Sequence, residues 1–270
     1  MNILVCVKQV PDPETPPAGF KVDPAAKRAI QPLGTAPVIS PFDENAAEAA
    51  LRVKDKYGGT VAVLTMGPPA AEDVLRHAMA LGADDGFLLH SPAIEEFDSY
   101  SIAHILSAAI KKIGSFDLIL CGREAADWNA GQVGLGIAEF LGMPCVTLAK
   151  KIEVIENKLK VERVIPGSFE VVEVPLPALL TVTNELGLPR YPNLKGIMAA
   201  KKKQIKALTI QDIGLETSSL ASPDSLRLLD LFVPVRERQC HLFQADSVEE
   251  AAAALAEKIL ELNPNQETNP

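Results

Sequence analysis

The residues best placed to do chemistry gather in one loop. It reads GREAADWNAGQVGLG, Gly122 to Gly136, and follows the apolar run Phe116–Cys121 (FDLILC). Ala125, Ala126, Ala130, Gly131 and Gly134 are small enough to let a ligand approach the backbone. Free N–H groups at the start of the next helix, around Gly131 to Val133, would suit a phosphate. Gln132 adds a side-chain amide. A plain strand-to-helix turn, with glycine for tightness, is the other reading of the same spacing. Glu124 and Asp127 share the loop and read as solvated or capping carboxylates. No GxGxxG follows the first strand and there is no Walker lysine, so the usual dinucleotide and P-loop signals are missing. No GxSxG elbow or activated-cysteine motif is present either. Cys6, Cys121, Cys145 and Cys240 form no CxxC pair. That excludes the standard zinc and iron–sulfur spacings and leaves reduced, mostly buried thiols. His77, His90, His104 and His241 show no ligand spacing. Small polar residues without an acid, base or nucleophile describe a binding site rather than a hydrolytic one.

Alternating strands and helices must position this loop. Ile3–Val10 reads as a buried strand, followed by a proline-rich loop (Pro11, Pro13, Pro16, Pro17) and an edge strand near Phe20–Val22. Ser40-Pro41-Phe42-Asp43 looks like a helix start, with serine as cap, proline at the first position and an acid three residues after the cap. Ala46, Ala50, Val53 and Tyr57 give that helix its apolar stripe, and Gly58-Gly59 ends it. Thr60–Met66, Gly86–His90 and Phe116–Cys121 are further strands. Between and after them come helices with Val74, Leu75, Ala78, Met79 and Leu81 inward, then Ser99–Ile113, then Gln132–Leu141. This alternation predicts an α/β fold, doubly wound around a mostly parallel sheet. Such sheets bind ligands beyond the carboxyl ends of their strands, here Lys8–Val10, Met66–Gly67 and Cys121–Gly122.

The pattern changes after Pro144. Val146–Val154, Leu159–Ile165 and Phe169–Val174 predict a small β-meander insertion at about 146–176, and Ala178–Thr183 a strand returning to the main sheet. Gly187, Pro189 and Pro192 keep 184–193 from being a regular element. A linker is expected near Ser218–Ser225. A capping box at Ser247 then opens a terminal amphipathic helix striped by Val248, Ala251, Leu255, Ile259 and Leu262. The division predicted is a domain at 1–207 and a C-terminal arm at 208–270 that packs on a partner.

Composition narrows the function. The chain has 270 residues, 47% hydrophobic and 23% charged, enough to bury a core without staples. Aromatics are only 5%, so the core must be built from Ala, Val, Ile and Leu. Against 35 acidic residues there are 26 basic ones, a net charge of −9, which argues against nucleic acid as the main partner. No apolar run reaches the roughly 18 to 20 residues of a membrane span. The opening MNILVCVKQV has no basic region before its apolar stretch, so a cytoplasmic address is expected.

Several collinear segments carry a resemblance. LVCVKQVPDPE (Leu4–Glu14), PFDENAAEAALRVKD (Pro41–Asp55), MALGADD (Met79–Asp85), the Gly122 loop and LPRYPNLKGIMAAKKKQI (Leu188–Ile205) are similar to the β subunit of electron transfer flavoprotein. The resemblance implies a heterodimer whose α subunit holds an electron-carrying FAD and receives the C-terminal arm. It implies no bond chemistry by this chain alone, and electron exchange with acyl-CoA dehydrogenase-type flavoenzymes. The β subunit itself binds AMP or, in the electron-bifurcating type, a second FAD reduced by NADH. Matched by motif, the nucleotide-contacting positions are Cys6, Ser40, Pro41, Phe42, Asp43, Met66, Gly122, Arg123, Glu124, Ala125, Asp127, Trp128, Asn129, Ala130, Gly131, Gln132 and Val133. Ala130, Gln132, Val133 and Gly134 look more like the bifurcating type. Trp128 matches neither type, and either stacks on a ligand ring or covers the loop. The resemblance also makes 184–194 a recognition loop for the dehydrogenase, with Leu186, Gly187, Leu188, Pro189, Arg190 and Tyr191 in contact. Leu186 is its expected surface anchor. Lys195, Lys201, Lys202, Lys203 and Lys206 read as a solvated face or as steering charges. The residues alone leave a rival open, a stand-alone adenine-nucleotide-binding regulatory protein on the same α/β core. An ATP-using ligase or pyrophosphatase is a weaker one, because the Gly-rich phosphate loop is missing.

Overall fold

The structure is a computed structural model that describes residues 1–16, 19–30, 32, 34–90, 97–216, 226, 228–234 and 240–262. Five strands come first: β1 (Asn2–Cys6), β2 (Gln9–Val10), β3 (Lys21–Asp23), β4 (Arg28–Ile30) and β5 (Val38–Ile39). Then follow α1 (Pro41–Tyr57), β6 (Thr60–Gly67), α2 (Glu72–Leu81), β7 (Asp85–His90), α3 (Ser99–Ile113), β8 (Leu118–Gly122) and α4 (Val133–Leu141). The second half holds β9 (Cys145–Ile155), β10 (Lys158–Ile165), β11 (Ser168–Pro175), β12 (Ala178–Val182), α5 (Leu194–Lys202), β13 (Ile205–Thr209) and α6 (Val248–Leu262).

Nine strands form one sheet in the order β11-β10-β9-β12-β8-β1-β6-β7-β13. Every pairing from β9 to β13 through the centre is parallel. Only β9–β10 and β10–β11 are antiparallel. The meander therefore continues the main sheet. Strand β1 shows why the sheet is doubly covered. Ile3 and Val5 face the cluster that holds α1, α2 and α5 residues such as Ala46, Val74 and Ala200. Leu4 and Cys6 face the opposite cluster, with Ala103 of α3 and Ile137 of α4. Alternate residues on two buried faces give the continuous apolar runs that mark buried parallel strands.

Several sequence expectations change. The strand near Phe20–Val22 is β3, paired with β4 in a two-stranded hairpin. Helix α5 and strand β13 follow the irregular 184–193 stretch, where the sequence assigns no element, and a short 3₁₀ turn (Asn184–Leu186) opens the loop before them. β13 pairs with β7 from Ile205 to Thr209 and so runs through the expected 207/208 division. The chain instead clusters into two compact units, Met1–Leu231 and Phe232–Pro270. The second unit holds α6, which has no buried residue. Pro17 and the linker expected near Ser218–Ser225 lie outside the described residues. Among the described residues no helix is long and apolar enough to cross a membrane.

Candidate functional site

After β1 the chain winds outward through β6 and β7, then crosses back to lay β8 on the other side of β1. The loops leaving β1 and β8 therefore diverge, and the crevice between them is the topological switch point of the sheet. Its floor is a pair of thiols. Cys6 and Cys121 are register partners on the two strands, and both are buried. The adjoining Cys6 thiol and burial push the Cys121 thiol well above its usual range, so it stays protonated. Cys145 and Cys240 are exposed, so the expectation of mostly buried thiols holds for only half of them. Met66 closes the neighbouring end of β6 and is buried.

Above this floor stands Asp43, in the first turn of α1. The sequence suggests a capping box around Ser40. The structure shows no side-chain cap there. Ser40 Oγ instead accepts from the Ala126 amide at 3.3 Å, reaching into the loop after β8. Asp43 turns inward, and its two oxygens accept from the Lys8 amide at 2.8 Å and the Gly122 amide at 3.0 Å. One carboxylate thus ties the ends of β1 and β8 to the start of α1. Burial pushes Asp43 up to about 7, against the lowering by the two amides and the Lys8 charge. Gly122 is required at this point. A Cβ would stand 2.7 Å from the Phe42 carbonyl carbon and 2.8 Å from the Asp43 nitrogen.

Two more contacts fold the Gly122–Gly131 segment over the start of α1. The Arg123 guanidinium lies 4.7 Å from the Phe42 ring centre and also pairs with Glu124 at 2.6 Å. Lys8 Nζ meets Asp127 at 2.6 Å. Glu124 and Asp127 are therefore ion-paired, where the sequence suggested solvated or capping carboxylates. Trp128 is 56% exposed. Pro41 is exposed, and Ala125 half-buried. Asn129 and Gly131 adopt left-handed backbone, φ 50° and 63°, and turn the chain into α4. Gln132 is the N-cap residue of α4 and makes no side-chain cap, so the first-turn amides starting at Val133 have no partner from it.

A cavity of about 420 Å³ lies on either side of this turn, lined by Arg123, Glu124, Gly131, Leu135, Thr147, Leu148 and Thr181. Sequence reasoning missed the last four. Leu148 has φ 59°, where β9 shifts register against β12, and its amide donates to Thr181 Oγ1 at 3.0 Å. Nothing local in the sequence announces that bulge. Among the described residues no group of three or more His, Cys, Asp or Glu could hold a metal ion.

The 184–194 segment lies against the middle of α1. Leu186 does not stand free as expected. It is half-buried and packs against the core cluster beneath α1. The exposed apolar side chains are Leu188 (86%), Tyr191 (91%) and Leu194 (75%), the last at the first position of α5. Gly187 is also exposed, while Pro189 and Arg190 are half-buried.

The electron transfer flavoprotein domain matches residues 32–213. The chain belongs to the electron transfer flavoprotein family. It is 41% identical over 261 residues to the electron transfer flavoprotein subunit beta of Thermoanaerobacterium thermosaccharolyticum, covering 96% of this chain and 98% of that one. It is 40% identical to the caffeyl-CoA reductase–Etf complex subunit CarD of Acetobacterium woodii, covering 97% and 98% of the two chains. With the acryloyl-CoA reductase electron transfer subunit gamma of Anaerotignum propionicum it shares 38% identity, over 84% of each chain. A role in electron transfer and association with flavin follow from the family. The stand-alone regulatory reading finds no support among these relatives.

Proposed function

We propose that the chain is the β subunit of a two-subunit electron transfer flavoprotein and that its own site binds FAD rather than AMP. The observation that carries this reading is the switch-point crevice. Its backbone is fixed by Asp43, and its open side meets the uncapped first turn of α4. The amides of that turn, around Val133, would hold phosphate oxygens. The small residues of the Gly122–Ala130 segment, Gly122, Ala125, Ala126 and Ala130, would admit the adenosine half. Beside Gly131 lies the cavity that the apolar Leu135 and Leu148 line, in the size range of small-molecule sites, roughly 300–1,000 Å³. AMP would not need that extension, whereas a ring system would. Once bound, a flavin supplies electron uptake and release. This chain's residues bind, orient and exclude water. A second FAD here would make NADH an electron donor, as in the bifurcating type.

The remaining parts of the reading extend from this site. The α subunit would hold the electron-carrying FAD and receive the C-terminal arm. The exposed side chains Val248, Leu255, Ile259 and Leu262 on α6 support that docking. An acyl-CoA dehydrogenase-type flavoenzyme would exchange electrons after docking on the 184–194 loop, through Leu188, Tyr191 and Leu194 rather than Leu186. A cytoplasmic address belongs to the same proposal. The test is the absorption spectrum and released-nucleotide analysis of the co-purified two-subunit complex. Two FAD and no AMP are expected. One FAD with one AMP would overturn FAD in this site, and one FAD without AMP would overturn the site. Removal of Phe232–Pro270 should abolish the two-subunit complex and leave the circular dichroism of the α/β unit intact. Loss of that fold would count against the arm.

A further inference from the structure

We infer that Glu48 is the positioning residue of the 184–194 loop. Its buried carboxylate grips Arg190 and Arg52 and so fixes on α1 the shape that a partner flavoenzyme meets. The inference rests on the docking reading given above. Asn45, Glu48, Arg52 and Asp55 follow one another at spacings of three, four and three residues, which puts them on one face of α1. From that face they take hold of three consecutive residues, 186 to 188, and of Arg190. Arg52 Nη1 donates to the Leu186 carbonyl at 2.8 Å, and Nη2 to the Leu188 carbonyl at 3.1 Å. Between them, Asn45 Nδ2 donates to the Gly187 carbonyl at 3.0 Å. An irregular segment must find partners for its carbonyls somewhere, and here one helix supplies three in a row.

Glu48 joins the two arginines. Its Oε1 accepts from Arg52 Nε at 2.7 Å. Its Oε2 accepts from Arg190 Nε at 2.7 Å and from the Arg190 amide at 3.2 Å. Arg190 Nη2 also reaches Asp55 at 2.8 Å. The Glu48 side chain is only 5% exposed, so its charge is tolerable only while these donors stay in place. Burial raises its pKa, but the Arg190 and Arg52 hydrogen bonds outweigh burial and hold it below the usual carboxylate range. It therefore stays charged, and the grip persists at every pH near neutrality.

This places rigid support directly beneath exposed side chains. Leu188 and Tyr191 flank Arg190 and project from the fixed stretch. A loop held in advance has less freedom to lose when a partner arrives, so the grip acts on encounter rather than on electron transfer inside the complex. A carboxylate that served only stability would alter melting and leave partner affinity alone.

The test uses the intact two-subunit complex and an acyl-CoA dehydrogenase-type flavoenzyme as electron donor. Glu48→Gln should raise KM for the dehydrogenase about tenfold and change kcat at saturation less than about twofold. Trypsin cleavage between Arg190 and Tyr191, read by fragment mass, should accelerate by about tenfold or more. Arg190 cannot enter a protease pocket while Glu48 holds it. Arg190→Gln should reproduce the rise in KM if Glu48→Gln fails to fold. The double variant should add little to either single one, because both remove one contact. Unchanged KM and unchanged cleavage in Glu48→Gln, beside a raised KM in Leu194→Ala, would overturn the inference and leave the docking reading standing. An unchanged KM in both Leu194→Ala and Tyr191→Ala would overturn the docking reading itself.

Discussion

Helix α1 holds two loops by opposite means. At its N-terminus Asp43 accepts from two backbone amides, and the loop it fixes has no room for a Cβ at Gly122. At its middle, Asn45, Glu48, Arg52 and Asp55 reach outward with side chains and leave Leu188 and Tyr191 exposed. The difference follows from what each loop would meet. A nucleotide would need bare backbone at close range, which a backbone fixed by a buried group would offer. A protein would need projecting side chains, which a braced chain with free tips would offer. The first loop should fail on the smallest change to its backbone. The second should tolerate changes at its tips without loss of fold.

The sharpest test of that contrast is Gly122→Ala. One methyl group there has to displace the start of α1, an overpacking expected to cost about 1–3 kcal/mol. Nucleotide should disappear from the purified complex and the melting temperature should drop. A variant that melts normally with nucleotide bound would end the comparison. Leu194→Ala is the opposite case. Its exposed side chain should cost no stability, while removal of a contact worth roughly 1.5–3 kcal/mol on burial should lower dehydrogenase-coupled reduction by about one to two decades at low partner concentration. A lower melting point with an unchanged rate would show that the residue belongs to the fold instead.

Gln132→Glu sharpens the nucleotide side. A carboxylate at the start of α4 favours the helix by about 0.3–1 kcal/mol but repels a phosphate bound there. Nucleotide affinity should fall about tenfold with no drop in melting temperature. Full retention of nucleotide would move the phosphate elsewhere. The last test concerns Asp43. Its folded-state pKa of about 7 lies above the ordinary 3.8, so the unfolded chain loses this proton first as pH rises. Stability should therefore fall between about pH 4 and 7, by at most about 1.4 kcal/mol per pH unit. Asp43→Asn carries no such proton. Its denaturation midpoint should lose this pH slope, although the amide leaves one backbone N–H unpaired at a cost of about 1–3 kcal/mol. An identical slope in both proteins would show that Asp43 ionises normally.

The contrast also explains what could be read from the sequence. Helices α1 to α4 and the central strands are legible because apolar periodicity reports burial directly. Ser99–Ile113, for example, was expected with the bounds that α3 has. The Gly122–Val133 segment reads as a candidate site because Gly122, Ala125, Ala126, Ala130 and Gly131 follow a buried strand. The tethering role of Asp43 is not legible, since an acid in the first helical turn ordinarily caps, and only the distant amides of Lys8 and Gly122 draw it inward. Leu186 is misread for a similar reason. The glycine and prolines around it do signal a loop, but the packing beneath α1 decides which leucine faces out. Helix α5 hides behind Gly196 and its lysines. It is started by Asn193, whose side chain accepts from the Gly196 amide at 2.8 Å, and ended by Arg76, which donates to the Ala200 carbonyl at 2.8 Å. The second of these contacts comes from another helix.

The segment from 183 to 204 leaves β12 and returns to the sheet only at β13. Five strand spacings separate the two, about 24 Å at roughly 4.8 Å each. In mechanical terms it is a belt buckled at both ends rather than a flap hinged at one. Tension applied at Leu194 would be shared between a central strand and an edge strand, with α1 as a third point of attachment. Peeling the belt would first require β13 to give up five register pairs with β7. A partner can therefore arrive, pull and leave without unfastening it. A docking surface fastened in this way would be ready for the next encounter at once.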